Sequence, residues 1–370
     1  MKKIKMKKST LTTICTIVGI LILYFALSPL EGATNLNPFT SVISGMLVRI
    51  CVWAVMAVSL NLVVGVLGEL SLGHAGFMYI GAFTGAFFTK ITASSIDNEV
   101  MRLVLGMLVG AFFAAIFGLL IGSSVLRLQG DYLAIVTLAF GEVIKGILGT
   151  IIVAFDKNGF HFSLKDTTAL TMNGVDSKDI IVKGSQGIIK VDRSSTFLIG
   201  IIVLIITVLI IMNFTDSRSG RAVKAVRDNK IAAETVGINI SSYRLLAFTI
   251  SAAIAGVAGV LYAHNLGSVQ SVKFDYNTSI DVLVMVVLGG MGNIPGSIIA
   301  AIVITILPEI LRLMPGVFSF LAEYRMIIYA IVLVVLMIFT WNKNCIEWRK
   351  KVSATVKRFF KKIFSKKEVE

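Results

Sequence analysis

Glu142 and Lys145 lie three residues apart inside an otherwise apolar stretch, and Glu309 and Arg312 repeat that spacing. Side chains at i and i+3 meet on a helix, so each pair can neutralise itself. An ionisable group inside a bilayer must be paired, wetted or neutral, and such groups often mark a solute route. Glu69, His74 and Asp131 adjoin glycines or polar turns and suit an interface, whereas Asp281 opens a short apolar stretch with no local partner. Structural pairing and contact with a solute both remain open for these residues. His74, His161 and His264 have no companion at metal-ligand spacing. The sequence also lacks a nucleotide-phosphate loop, an H-E-x-x-H helix and a G-x-S-x-G elbow. The chain is therefore expected to carry no catalytic residue, metal site or cofactor.

The most informative polar segment is Asp216–Tyr243, which separates two strongly apolar stretches. Arg218, Arg221, Lys224, Arg227 and Lys230 recur every third position along it. On one continuous helix, Ala222, Ala225, Val226, Asn229, Ala232, Ala233 and Val236 fall within an arc of about 120°. A helix resting on lipid headgroups prefers Trp, Phe or Leu on its apolar face. An arc of alanine and valine suits insertion into a protein cleft instead.

Those residues need a frame, and the composition says which kind. Of 370 residues, 56% are hydrophobic and only 15% charged, with a mean hydropathy of +0.87. Only a bilayer accommodates that much apolar surface, so the fold class is an all-α polytopic membrane protein. Apolar windows lie near 11–28, 42–66, 70–90, 102–125, 132–154, 196–214, 244–263, 296–313 and 324–341, with a shorter one at 279–291. Together they predict about ten crossings, some short or broken. The net charge of +14 is concentrated in the lysines before the first window and in a basic tail after the last. Basic flanks stay in the cytoplasm, and an even number of crossings puts both ends there. This distribution argues against nucleic-acid binding. The first window is expected to remain as a helix and not to be cleaved as a leader.

The expected organisation is a basic N-terminus (1–10), a membrane domain (11–341) and a basic tail (342–370). Residues 155–195 then form an extracytoplasmic loop and 216–243 a cytoplasmic one. The runs IIVKG and IIKV predict a small hairpin in the outer loop. Glycine-dense patches at 65–68, 73–76 and 289–296 either permit close helix packing or break helices along a pathway. LVVGVLGELSLG and LVMVVLGGMGNIPG are faintly alike.

The run Ala232-Ala233-Glu234-x-x-Gly237 resembles the coupling loop of bacterial ABC importer permeases. The blocks at 60–83, 126–145, 218–263 and 287–301 are similar, in order, to the LivM-type permeases of branched-chain amino-acid ABC importers. The resemblance implies Arg218, Gly220, Arg221, Ala222, Ala225, Arg227, Ala232, Ala233, Glu234 and Gly237 as the surface that meets an ATPase. It implies two ATPase subunits, a second LivH-type permease, an extracytoplasmic solute-binding protein and an amino-acid substrate, all at the cell membrane. A zwitterion with an apolar side chain needs no fixed charge along its route, which points to Asn61, Ser71, Gly73, His74 and Thr137 as path residues. Related permeases for urea or nucleosides, and an ATP-independent transporter, are the alternatives. An insertion at about 156–182 departs from the family pattern.

Overall fold

The computed structural model describes residues 8–31, 38–126, 128, 130–156, 159–163 and 180–313, with 327, 330, 331, 334 and 335 as isolated positions. The expected crossing at 324–341, the tail at 342–370, the N-terminal residues 1–7, Arg127 and residues 164–179 of the insertion lie outside these, wholly or in large part. The chain divides into two units, Met1–Ile306 and Leu307–Glu370. Of the second unit, the last turns of one helix are described, with Pro308 inside it. All that follows concerns the first.

Its helices are α1 (Lys8–Leu27), α2 (Pro38–Asn61), α3 (His74–Ile91), α4 (Glu99–Val125), α5 (Asp131–Thr150), α6 (Phe197–Asp216), α7 (Arg218–Asp228), α8 (Lys230–Thr235), α9 (Ile240–Leu266), α10 (Tyr276–Gly289) and α11 (Ile294–Leu313). Five stretches are long and apolar enough to cross a membrane: Ser44–Leu67, Glu99–Val125, Asp131–Thr150, Phe197–Asp216 and Ile240–Leu266. Thr12–Leu27 and Ile294–Glu309 are shorter apolar helices. At about 1.5 Å per residue, a helix of roughly 20 residues covers the hydrocarbon. The chain is thus a multi-pass membrane protein. Large apolar side chains on α4 and α6, including Leu108, Phe112, Leu120, Ile202 and Ile206, stay exposed as lipid contact requires.

Side-chain oxygens start most of the long helices. Asn98 accepts from Val100 N and Met101 N at α4, Thr196 from Ile199 N at α6, Asn239 from Ser242 N at α9, and Asp275 from Thr278 N at α10. These caps satisfy amides that helix geometry leaves unpaired.

Contacts at the helix ends show that successive helices alternate in direction. One end gathers Glu31, whose carboxylate accepts from Phe197 N at 2.8 Å, and Arg102, paired to Asp192 at 2.6 Å. The other gathers Arg227, which donates to Gly65 O at 3.0 Å, Arg244, which donates to Leu128 O at 3.4 Å, and Gly292, whose amide meets Asn61 at 2.7 Å. These are called the sheet end and the loop end below.

Helix α9 sits among α2, α3 and α4. Small residues make that possible: a side chain on Gly81 would strike the Gly256 backbone, and one on Gly259 the backbone of Met78. Close backbone approach of this kind replaces the hydrophobic drive that lipid cannot supply. Gly259→Leu is expected to cost at least the ~1–3 kcal/mol of an overpacked core, read as a lower unfolding temperature of the purified chain.

The sheet end departs from the all-α expectation. Instead of a lone hairpin it holds five strands: β1 (Ile152–Asp156), β2 (Gly159–Ser163), β3 (Ile180–Lys183), β4 (Ile188–Ile189) and β5 (Ser268–Val269). They are antiparallel in the order β2-β1-β3-β4-β5. The two β-prone runs supply β3 and β4, while β5 arrives from beyond α9 and ties the insertion to the helices. Gly187, at φ 66°, fits where a side chain would hit the Val269 carbonyl.

Candidate functional site

The loop end carries the polar segment, and its geometry differs from the single helix predicted. The segment is two helices, α7 and α8, parted at Asn229 with φ −157° and ψ 108°. Asn229 is extended because its side chain accepts from Ala232 N at 3.1 Å and so begins α8. The alanine arc is split as a result. Helix α7 buries Gly220, Val223 and Val226, α8 buries only Ala233, and Asn229, Ala232 and Val236 are exposed.

The remaining predicted residues fall into two groups. Arg218 and Glu234 are exposed, and Ala222 and Ala225 are half-buried on α7. Gly220 and Arg221 hold the α6–α7 corner. A side chain on Gly220 would hit Phe214 O, while Arg221 donates to Asp216 O at 2.8 Å. Gly237, at φ 82°, closes α8, its amide donating to Glu234 O at 2.9 Å and that of Ile238 to Ala233 O at 3.1 Å. That left-handed exit is what the glycine permits.

The outward tip is apolar. Ile231 and Val236 are 77% and 74% exposed, on a segment otherwise rich in charge. Ile231 lies off the predicted arc. Only the break at Asn229 turns it outward, so the sequence pattern did not select it.

Arg227 is turned inward. Besides its bond to Gly65 O it pairs with Asp228 at 2.8 Å. Gly65 belongs to a π turn, Leu62–Leu67, that extends α2 and ends at Gly68 with φ 80°. Next to it Glu69, 8% exposed, forms ion pairs with Arg244 and, at 3.8 Å, with Lys230. Burial raises the Glu69 carboxyl above its ordinary value, an effect opposed by the Arg244 and Lys230 charges.

The five path candidates are all buried within the chain. Asn61 Oδ1 accepts from Gly292 N at 2.7 Å, and its Nδ2 donates to Ser297 Oγ at 2.8 Å. His74 Nε2 meets Ser59 Oγ at 2.7 Å. Thr137 Oγ1 donates to Ala134 O at 2.9 Å and accepts from Leu72 N at 3.1 Å. Gly73 packs on the Thr137 backbone, and the Ser71 hydroxyl is buried with no hydrogen-bond partner among the described residues. Ser71, Gly73, His74 and Thr137 thus share one neighbourhood, while Asn61 serves another as a clamp on the α10–α11 turn. That turn also packs on Gly65, so the two faintly similar glycine motifs face one another.

Towards the sheet end, Lys145 pairs with Glu142 at 3.1 Å, as the spacing suggests, and Glu142 also accepts from Tyr276 N at 3.1 Å. These residues border an open cavity of about 270 Å³ with Gly149, Thr150 and Ser271. The Glu309–Arg312 pairing falls on Arg312, whose side chain lies outside the described residues. Asp281 is exposed on α10.

Known proteins agree with this architecture. The high-affinity branched-chain amino acid transport system permease protein LivM of Salmonella typhimurium is 31% identical over 282 residues, or 70% of this chain. LivM of Escherichia coli is 32% identical over 280 residues, again 70% of this chain. The match spans 61% of the length of either LivM protein, less than two thirds. LivH of Salmonella typhimurium is 23% identical over 263 residues, covering 68% of this chain and 79% of that protein. No solved structure matches. The family described as branched-chain amino acid transport system / permease component matches residues 42–337. With most of its length inside that match, the chain belongs to the branched-chain amino acid transport permease family.

Proposed function

We propose that this chain is a membrane-spanning permease subunit of an ATP-driven importer of branched-chain amino acids. The observation that carries the reading is the exposed Ile231–Val236 tip on a charged loop between two spanning helices. Two large apolar side chains held in that setting suit a protein cleft. The occupant of the other side is an ATPase subunit, one of two. A LivH-type permease completes the membrane pair, and an extracytoplasmic binding protein delivers the amino acid. Nucleotide is held by the ATPases and not by this chain.

The loop end faces the cytoplasm and the sheet end the opposite side, where the five-stranded elaboration meets the binding protein. Alternating helix directions support this orientation, and about ten crossings leave both basic termini in the cytoplasm of a cell-membrane protein. The basic residues of α7 pair with acidic groups on the ATPase, while α8 enters the cleft. Because the five path candidates are hydrogen-bonded or packed inside this chain, the route runs beside them, between the two permeases.

The test is to purify the tagged chain in mild detergent, identify what co-purifies, and measure ATP hydrolysis after reconstitution with binding protein and amino acid. ATPase subunits and a second permease are expected, with hydrolysis stimulated by leucine, isoleucine or valine. Uptake that persists with inactive ATPases overturns the reading in favour of an ATP-independent carrier. Stimulation by urea or a nucleoside alone overturns the substrate.

A further inference from the structure

Three contacts join the loop to the broken end of α2. The Arg227 guanidinium holds Gly65 O, a carbonyl near a helix C-terminus where intrahelical donors run out. Its aliphatic stem lies across Gly68, where an added Cβ would come within 2.5 Å of Arg227 Cγ. Glu69 is buried against Arg244, at the start of α9, and also reaches Lys230, at the start of α8. Glu69 Oε2 and Arg244 Nε are buried with no further hydrogen-bond partner among the described residues. A buried ion pair with atoms left over is a poor source of stability, and an apolar pair would serve as well. What it does supply is a fixed connection between elements far apart in sequence. Beyond it, Gly65 packs on Gly292, and Asn61 clamps the same turn.

We infer that Glu69 is a positioning residue that locks the α7–α9 loop to the end of α2, so that displacement of the loop moves the Gly65–Gly292 contact. The inference rests on the ATP-driven reading above. Without the lock, motion imposed on α8 dissipates in the chain around Asn229 and Gly237, and ATP is hydrolysed without transport.

The complete importer in liposomes is assayed for amino-acid uptake and ATP hydrolysis together. Glu69→Gln preserves shape and removes the charge. It is expected to lower the amount transported per ATP by about tenfold, within the usual range of coupling between sites. Arg244→Gln is expected to do the same. The double variant is expected to lose no more than either single one, because both break one connection. A second measurement leaves the ion pair intact: nitroxide labels at exposed Leu70 and Ser241 are expected to keep their separation with and without ATP. A change larger than one helical turn, about 5 Å, overturns the lock, as does an unchanged ratio in Glu69→Gln or additive loss in the double variant. Failure of the underlying reading looks different, since the unmodified importer would then transport without ATP.

Discussion

Ile231→Asp and Val236→Asp are each expected to abolish ATP-driven uptake while leaving the chain folded. Both side chains are more than 70% exposed, so neither substitution disturbs a packed interior. Changes at such positions usually shift stability by no more than about 0.5 kcal/mol. In the proposed ATPase cleft the same aspartate is an unpaired charge buried at an interface, which costs about 3–5 kcal/mol. At about 1.4 kcal/mol per decade of affinity, that is a loss of at least a hundredfold. The measurement is recovery of ATPase subunits on the tagged chain, with the unfolding temperature of the chain alone as control. Normal recovery and normal uptake would sink the docking surface. Ala233→Asp, an equally natural choice from the alanine pattern, is a poorer test. Ala233 is only 3% exposed in the isolated chain, so its loss would mix misfolding with lost docking.

That contrast shows what hydropathy and periodicity could reveal. The apolar helices were legible because length and composition alone decide whether a segment can cross lipid. The polar loop was legible as a docking element by its place between such helices. Its working face was not, because a helical wheel assumes one unbroken helix. Asn229 breaks it with a local side-chain bond worth about as much as the helical one it replaces. Ile231, beyond the break, turns outward in consequence. Glu69 was visible as an acid near glycines, but its partner Arg244 lies on a distant helix that no local spacing rule reaches. Asn61 read as a polar lining group and is instead a clamp, because a buried amide must find partners and Gly292 and Ser297 supply them. The faint likeness between the two glycine motifs carried more than it seemed to. They meet through Gly65 and Gly292, where bare backbone on both sides allows an approach that no other residue permits. The sheet was half legible: β3 and β4 follow from β-branched runs, whereas β5 is a two-residue strand recruited from across the fold.

The second large effect concerns that glycine contact. Gly65→Val is expected to remove transport and to lower the stability of the purified chain. An added Cβ would overlap both Asn61 Oδ1 and the Gly292 backbone, so the π turn and the α10–α11 turn must separate. Overpacking of this kind costs about 1–3 kcal/mol. Asn61 then loses its bonds to Gly292 N and Ser297 Oγ, and each buried group left unsatisfied adds about 1–3 kcal/mol. Gly19→Val on α1 provides the control, since an added Cβ there meets nothing within 4 Å. It carries the same change in backbone freedom without the collision, and both properties are expected to remain normal. Thermal unfolding in detergent and uptake in liposomes report them separately. If Gly65→Val unfolded and transported like Gly19→Val, the two motifs would not be in contact in the working importer, and the route from the loop to the membrane core would have to lie elsewhere.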